Sequence, residues 1–176
     1  SLRTNSYPFD SLNIRLAISK SINRKLISEK VSYNLRKPLR NIVPLIFKNS
    51  NQDLWPEYSP KEARILLEKE GFCDGKKLKF PLTYRSNVPS DKLIALIIQE
   101  DIKNNLSDCI SMDIDGVESA TMYDNLSKGE YPAAIYDWTG QYPDPEAYLK
   151  PLLSCSEIVE NTCKEGESVY SLSLIH

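Results

Sequence analysis

The strongest constraint on this chain of 176 residues is the way its apolar period switches between positions 78 and 138. Leu78, Phe80, Leu82 and Tyr84 recur at every second residue, the period of a strand with one buried face. After Ser90, read as a helix cap, Ile94, Ile97, Ile98, Ile102 and Leu106 fall at helical spacing, and Ile110, Met112 and Ile114 return to the period of a strand. Residues 118–128 read as a helix with Met122 and Leu126 inward and Gly129 after its end, and Ala133 to Trp138 as a third strand. Strands separated by single helices and short connections imply right-handed crossovers and a mainly parallel sheet, so the fold class is α/β. Pro81 cannot donate to a ladder and places the first strand near a sheet edge.

Upstream, Asp10 precedes the stripe Ile14, Ala17, Ile18, Ile22 and Leu26, which predicts one amphipathic helix running to about Val31. Residues 32–58 hold Pro38, Pro44 and Pro56 and read as a long connection. Ser59-Pro60-Lys61-Glu62 has the form of a capping box with proline at the first helical position, and Gly71 marks the end of that helix. A hydrophobic content of 41% suffices for a core, while no aliphatic run approaches the roughly 20 residues needed to cross a bilayer.

The net charge of −2 argues against a general nucleic-acid binder. It hides a split: residues 1–80 carry 16 basic and 8 acidic side chains, residues 81–176 carry 6 and 16. Two solvated faces of opposite sign are a simpler account of this than a basic docking surface on the first half. The chain begins at Ser1 with no leader-like segment and reads as a piece of a longer protein. Of Cys73, Cys109, Cys155 and Cys163, no pair has the spacing of a structural zinc site. Only Cys155 and Cys163 read as able to bridge, in an oxidising compartment, with two free thiols as the alternative.

In open α/β sheets a ligand lies at the carboxyl ends of the strands, where the loops leave a crevice. That rule selects Tyr84-Arg85-Ser86-Asn87, Asp115-Gly116, and the segment from Trp138 through Thr139, Gly140, Gln141, Tyr142, Pro143 and Asp144 to Pro145. The last is the richest, because Trp138 and Tyr142 can stack on a ligand while bonding it and Gly140 permits close approach. The alternative is that both aromatics roof the core while Asp144 caps a helix beginning near Pro145. His176 is the only histidine, so a serine or cysteine triad lacks a base within the domain. Asp113 and Asp115 share a strand face and read as its solvent side rather than as a metal or carboxylate pair. No phosphate-cradling glycine motif occurs, and no cofactor is expected.

Three further stretches carry a resemblance. Pro8-Phe9-Asp10 with Ile14 to Ile18 and Ile22-Asn23-Arg24, Tyr58 to Ala63 with Leu66-Leu67 and Gly71-Phe72, and Tyr131 to Trp138 followed by Tyr142-Pro143-Asp144-Pro145 are together similar to the oligopeptide, dipeptide and nickel solute-binding proteins of ABC importers. The resemblance covers residues 7–152, read as a family-like ligand-binding lobe, with 153–176 a polar, truncated tail and the whole chain a single partial domain. It implies the C-terminal lobe of a two-lobed periplasmic-binding-protein-like (type II) fold. Hinge closure against an N-terminal lobe of the same protein would trap a small solute, most typically an oligopeptide, for an ABC permease in the inner membrane. It further implies no enzymatic activity, a periplasmic or membrane-associated extracytoplasmic location, and Trp138, Gln141 and Tyr142 on the ligand wall. Peptide-binding relatives usually carry Asp where Gln141 stands, pairing with the ligand's α-amino group; Asp137 substitutes only if the backbone turns it into the cleft. The competing reading is a cytoplasmic effector-sensing or interaction domain of related two-lobed fold.

Overall fold

In the computed structural model, which describes residues 1–4, 6–39, 41–44, 46–47, 54–154, 157–159 and 162–165, the alternation read from the sequence is realised. The chain forms two compact units, one of Ser1–Pro38, Pro56–Ser119 and Tyr131–Tyr136, the other of Leu39–Trp55, Ala120–Glu130 and Asp137–His176.

The first unit opens with α1 (Leu12–Ser21), whose Ser11 cap accepts from the Ile14 amide, and α2 (Arg24–Ser32). One helix to Val31 was expected and two are found. Ile22 is extended, and the Asn23 side chain accepts from the Leu26 amide at 3.0 Å, so a new cap replaces helix continuation. In α3 (Pro60–Lys69) Ser59 caps as expected, accepting from the Glu62 amide at 3.3 Å. The reciprocal half of the box is absent. The Ser59 amide donates to the Lys20 carbonyl, and the Glu62 carboxylate pairs with Lys20 at 2.7 Å, which holds its pKa below the usual carboxylate value.

Strand β1 (Leu78–Arg85) is followed by α4 (Pro89–Leu106), β2 (Ile110–Val117), α5 (Ser119–Lys128) and β3 (Ala134–Ile135). Ser90 is not the cap of α4, which begins at Pro89 after an extended Val88 without a side-chain cap bond. The three strands form one parallel sheet in the order β2-β1-β3, with Leu78 opposite Ile110 and Thr83 opposite Ala134. The third strand is shorter than expected, and Leu2 bridges antiparallel to Ala133 beside it.

By strand order β1 is central, so Pro81 is not on an edge strand. Its position is tolerated because donors alternate in direction: Thr83 donates to the Ala133 carbonyl, on the β3 side, and the nitrogen of Pro81, two residues earlier, points to that same side. There β3 pairs only with Thr83 and Tyr84, so no ladder bond is lost.

Even-numbered positions of β1 and β2 line the core face, where Leu78, Phe80, Leu82, Ile110 and Met112 are buried with Ile14 and Ile18 of α1, Leu67 of α3, and Ile98, Ile102 and Leu106 of α4. Lys79, Pro81, Asp113 and Asp115 on the other face are exposed. A disulfide joins Cys73, after α3, to Cys109, at the start of β2. The expectation that only Cys155 and Cys163 could bridge is overturned, because residues 36 apart in sequence meet where the loop after α3 and the end of α4 reach the same end of the sheet. Cys155 and the side chain of Cys163 lie outside the described residues.

In the second unit, α6 (Glu146–Leu153) follows the aromatic segment, and the antiparallel pair β4 (Glu157–Val159) and β5 (Thr162–Glu165) lies in the stretch read as a polar tail.

Candidate functional site

Two of the three strand ends selected from the sequence are committed to holding the fold together. Arg85 is buried, with its Nε donating to the equally buried Asp91 at 2.6 Å, an ion pair that fixes the turn from β1 into α4. The Asn87 side-chain oxygen accepts from both the amide and the hydroxyl of Ser119, at 3.2 and 2.6 Å, and so caps the start of α5 from outside the helix. Gly116 lies under the Tyr84 phenol: a Cβ there would sit 2.8 Å from the hydroxyl. These groups position the loops that follow β1 and β2.

The segment from Asp137 to Pro145 is different. Trp138 is 37% exposed and Tyr142 is 49% exposed, and Thr139 and Gln141 are exposed as well. The indole N–H of Trp138 donates to the Ala147 carbonyl of α6 at 2.8 Å. The expectation that this ring both stacks on and bonds a ligand is therefore corrected: its one donor is engaged, and what it offers outward is aromatic surface. Gly140 lies against the Tyr148 ring, whose nearest atoms would be 2.7 and 2.8 Å from an added Cβ, and Phe47 meets the same ring edge-on at 6.1 Å between centroids. Asp144 accepts from the Glu146 amide at 2.8 Å, so its carboxylate caps α6.

The result is a turn held at both ends, by Trp138 to Ala147 and by Asp144 to Glu146, with Gln141 and Tyr142 at its exposed part. Sequence reasoning missed two supports. The Tyr148 ring lies where a Cβ at 140 would sit, and Tyr123 on α5 donates to the Asp137 carboxylate at 3.1 Å. No local signal marks either, because each partner comes from another element. Asp137 is exposed and shares this carboxylate with the phenol.

Such a turn presents a flat aromatic surface and a neutral amide, with Asp137 the carboxylate immediately beside Trp138.

Residues 1–160 match the family model described as bacterial extracellular solute-binding proteins, family 5 Middle. The periplasmic oligopeptide-binding protein OppA of Haemophilus influenzae is 27% identical over 180 residues, covering 98% of this chain and 33% of that protein. Heme-binding protein A of the same organism is 30% identical over 162 residues, covering 88% and 28%. The crystal structure of H. influenzae OppA in complex with the peptide RPPGFSPFR superposes with a TM-score of 0.79 at 27% identity, over 94% of this chain and 33% of that one. The chain thus spans about a third of the length of the relatives it matches. With the family model matched over nine-tenths of its residues, the chain belongs to the bacterial extracellular solute-binding proteins of family 5.

Proposed function

We propose that this chain is one ligand-binding lobe of an extracytoplasmic solute-binding protein that captures a peptide-like solute and passes it to an ABC permease, without catalysing a reaction on it. Trp138, Gln141 and Tyr142 form its part of the ligand wall, and an N-terminal lobe of the same protein supplies the opposing contacts on hinge closure. The observation that carries this reading is the state of Trp138: a ring still more than a third exposed on a turn braced at both ends, with its only donor satisfied by Ala147. The Cys73–Cys109 disulfide supports an oxidising compartment, where such bonds persist, over the cytoplasmic alternative. Peptide recognition is supported by the likeness to oligopeptide-binding OppA, solved with a peptide bound, while Gln141 offers hydrogen bonding without the charge that would offset a buried ammonium.

The test is calorimetry on the full-length protein with a panel of peptides, free and N-acetylated. Trp138→Ala should weaken binding by about 2 kcal/mol, as for a central aromatic anchor, with the folded fraction unchanged. Gln141→Asp should strengthen binding of free-amine peptides and leave acetylated ones unaffected. If both peptide classes respond alike, Gln141 is not at the amine end of the site. If Trp138→Ala unfolds the protein while affinity per folded molecule persists, the wall assignment is wrong.

A further inference from the structure

Helix α2 ends in an arrangement that neither the core nor the ligand wall uses. Tyr33 and Asn34 both lie in the left-handed region, at φ 50° and 64°. The Asn34 amide closes on the Ser28 carbonyl and the Tyr33 amide on the Ser28 and Glu29 carbonyls, the closure that glycine ordinarily makes. Two serines of α2 then hold the following residues back against the helix. The Ser28 hydroxyl donates to the Arg36 carbonyl, and the Ser32 hydroxyl accepts from the Arg36 amide. The tip is therefore built, and it is built so that Tyr33 is 86% and Leu35 87% exposed, the two most exposed large apolar side chains among the described residues.

Its charge is one-sided. Residues 24–37 hold Arg24, Lys25, Lys30, Arg36 and Lys37 against the single acid Glu29, which lies 3.4 Å from Lys30. Lys25, Lys30, Arg36 and Lys37 are exposed.

We propose that the tip Tyr33-Asn34-Leu35-Arg36-Lys37, with Lys30 behind it, is a contact surface for an anionic lipid bilayer. Side chains this exposed stand clear of the protein, so a protein partner would need a cavity shaped to each, whereas a bilayer interface accommodates an aromatic and an aliphatic group without one. Flanking lysine and arginine match an anionic headgroup layer, and their aliphatic stems can lie along it while the charges stay wet. Contact is peripheral, since no helix among the described residues is long and apolar enough to cross a membrane. The proposal is independent of what the Trp138 wall binds.

The test is co-sedimentation of the full chain with phosphatidylcholine vesicles, plain or containing about a third phosphatidylglycerol. Binding should require the anionic lipid and fall as salt is raised. Lys37→Gln should lower partitioning by about fivefold, the factor expected for one cation near such a surface. Tyr33→Asn with Leu35→Ser should lower it further at unchanged circular dichroism, asparagine being tolerant of the left-handed backbone. Equal binding to both vesicle types, or a Tyr33→Asn/Leu35→Ser variant that binds as the parent does, overturns the proposal. So does a chain that ignores vesicles but binds polyglutamate or associates with itself through these residues, which would assign the tip to an acidic protein surface.

Discussion

Gly140 shows how a single missing methyl group shapes the candidate wall. A Cβ at this position would meet Tyr148 at 2.7 Å, closer than atoms in proteins pack, and Phe47 backs the same ring. Gly140→Ala must therefore displace either the turn or the end of the Tyr148 ring, and since that ring is only half-buried the cost should lie at or below the lower end of the roughly 1–3 kcal/mol of overpacking. Tyr148→Ala opens the space that the new methyl group needs. In that background Gly140→Ala should cost far less, and the difference between the two backgrounds, read from urea midpoints in a double-mutant cycle, should exceed about 0.5 kcal/mol. Additive effects would mean that glycine is present for another reason. The Trp138 indole makes a parallel point: the sequence offers an aromatic ring at this turn, but not the Ala147 carbonyl that takes its N–H, because nothing in the sequence says which backbone acceptor α6 turns toward it.

At the scale of elements, the turn from β1 into α4 rests on Arg85 and Asp91, both nearly inaccessible to solvent. Removing Asp91 takes a charge-assisted hydrogen bond from a guanidinium that stays buried, whereas replacing both groups by apolar side chains also removes the cost of desolvating them. Asp91→Ala should accordingly destabilise by about 3–5 kcal/mol, and Arg85→Met combined with Asp91→Leu by much less. Chemical denaturation of the three proteins distinguishes this from a pair that merely decorates the turn, for which the single and double variants would be equally mild. Neither residue's pairing was readable beforehand, although Arg85 was singled out as a residue at a strand end. The alternation of elements was readable, because burial against a common core imposes the periods two and 3.6 on the chain directly. What stayed hidden depended on neighbours. The break at Asn23 reflects a competition between a polar cap and an apolar stripe that continues through it. The central position of Pro81 depends on how few residues of β3 pair alongside.

For the whole molecule, the disulfide is the contact that sequence spacing pointed away from, since four scattered cysteines offered no motif and pairing required the folded sheet. Cys73 and Cys109 are both buried among core residues of the first unit and enclose the helix-ending loop, β1 and α4. Closing a loop of 36 residues removes conformations from the unfolded chain worth about 4 kcal/mol in the loop-entropy account. That is a large share of the total stability of a domain this size, about 5–15 kcal/mol. Far-UV circular dichroism is the appropriate probe, because the loop that the disulfide closes carries β1 and α4. In the full-length protein, reduction under native conditions should be slow because both sulfurs are covered. Once the bond is broken, the urea midpoint of the dichroism transition should fall by the equivalent of about 4 kcal/mol. Cys73→Ala with Cys109→Ala should fall at least as far and should no longer respond to reductant. A midpoint indifferent to reductant, in protein whose Cys73 and Cys109 are both shown by mass spectrometry to be alkylated, would mean that the native packing of α3, α4 and β2 holds this loop closed without its covalent bond.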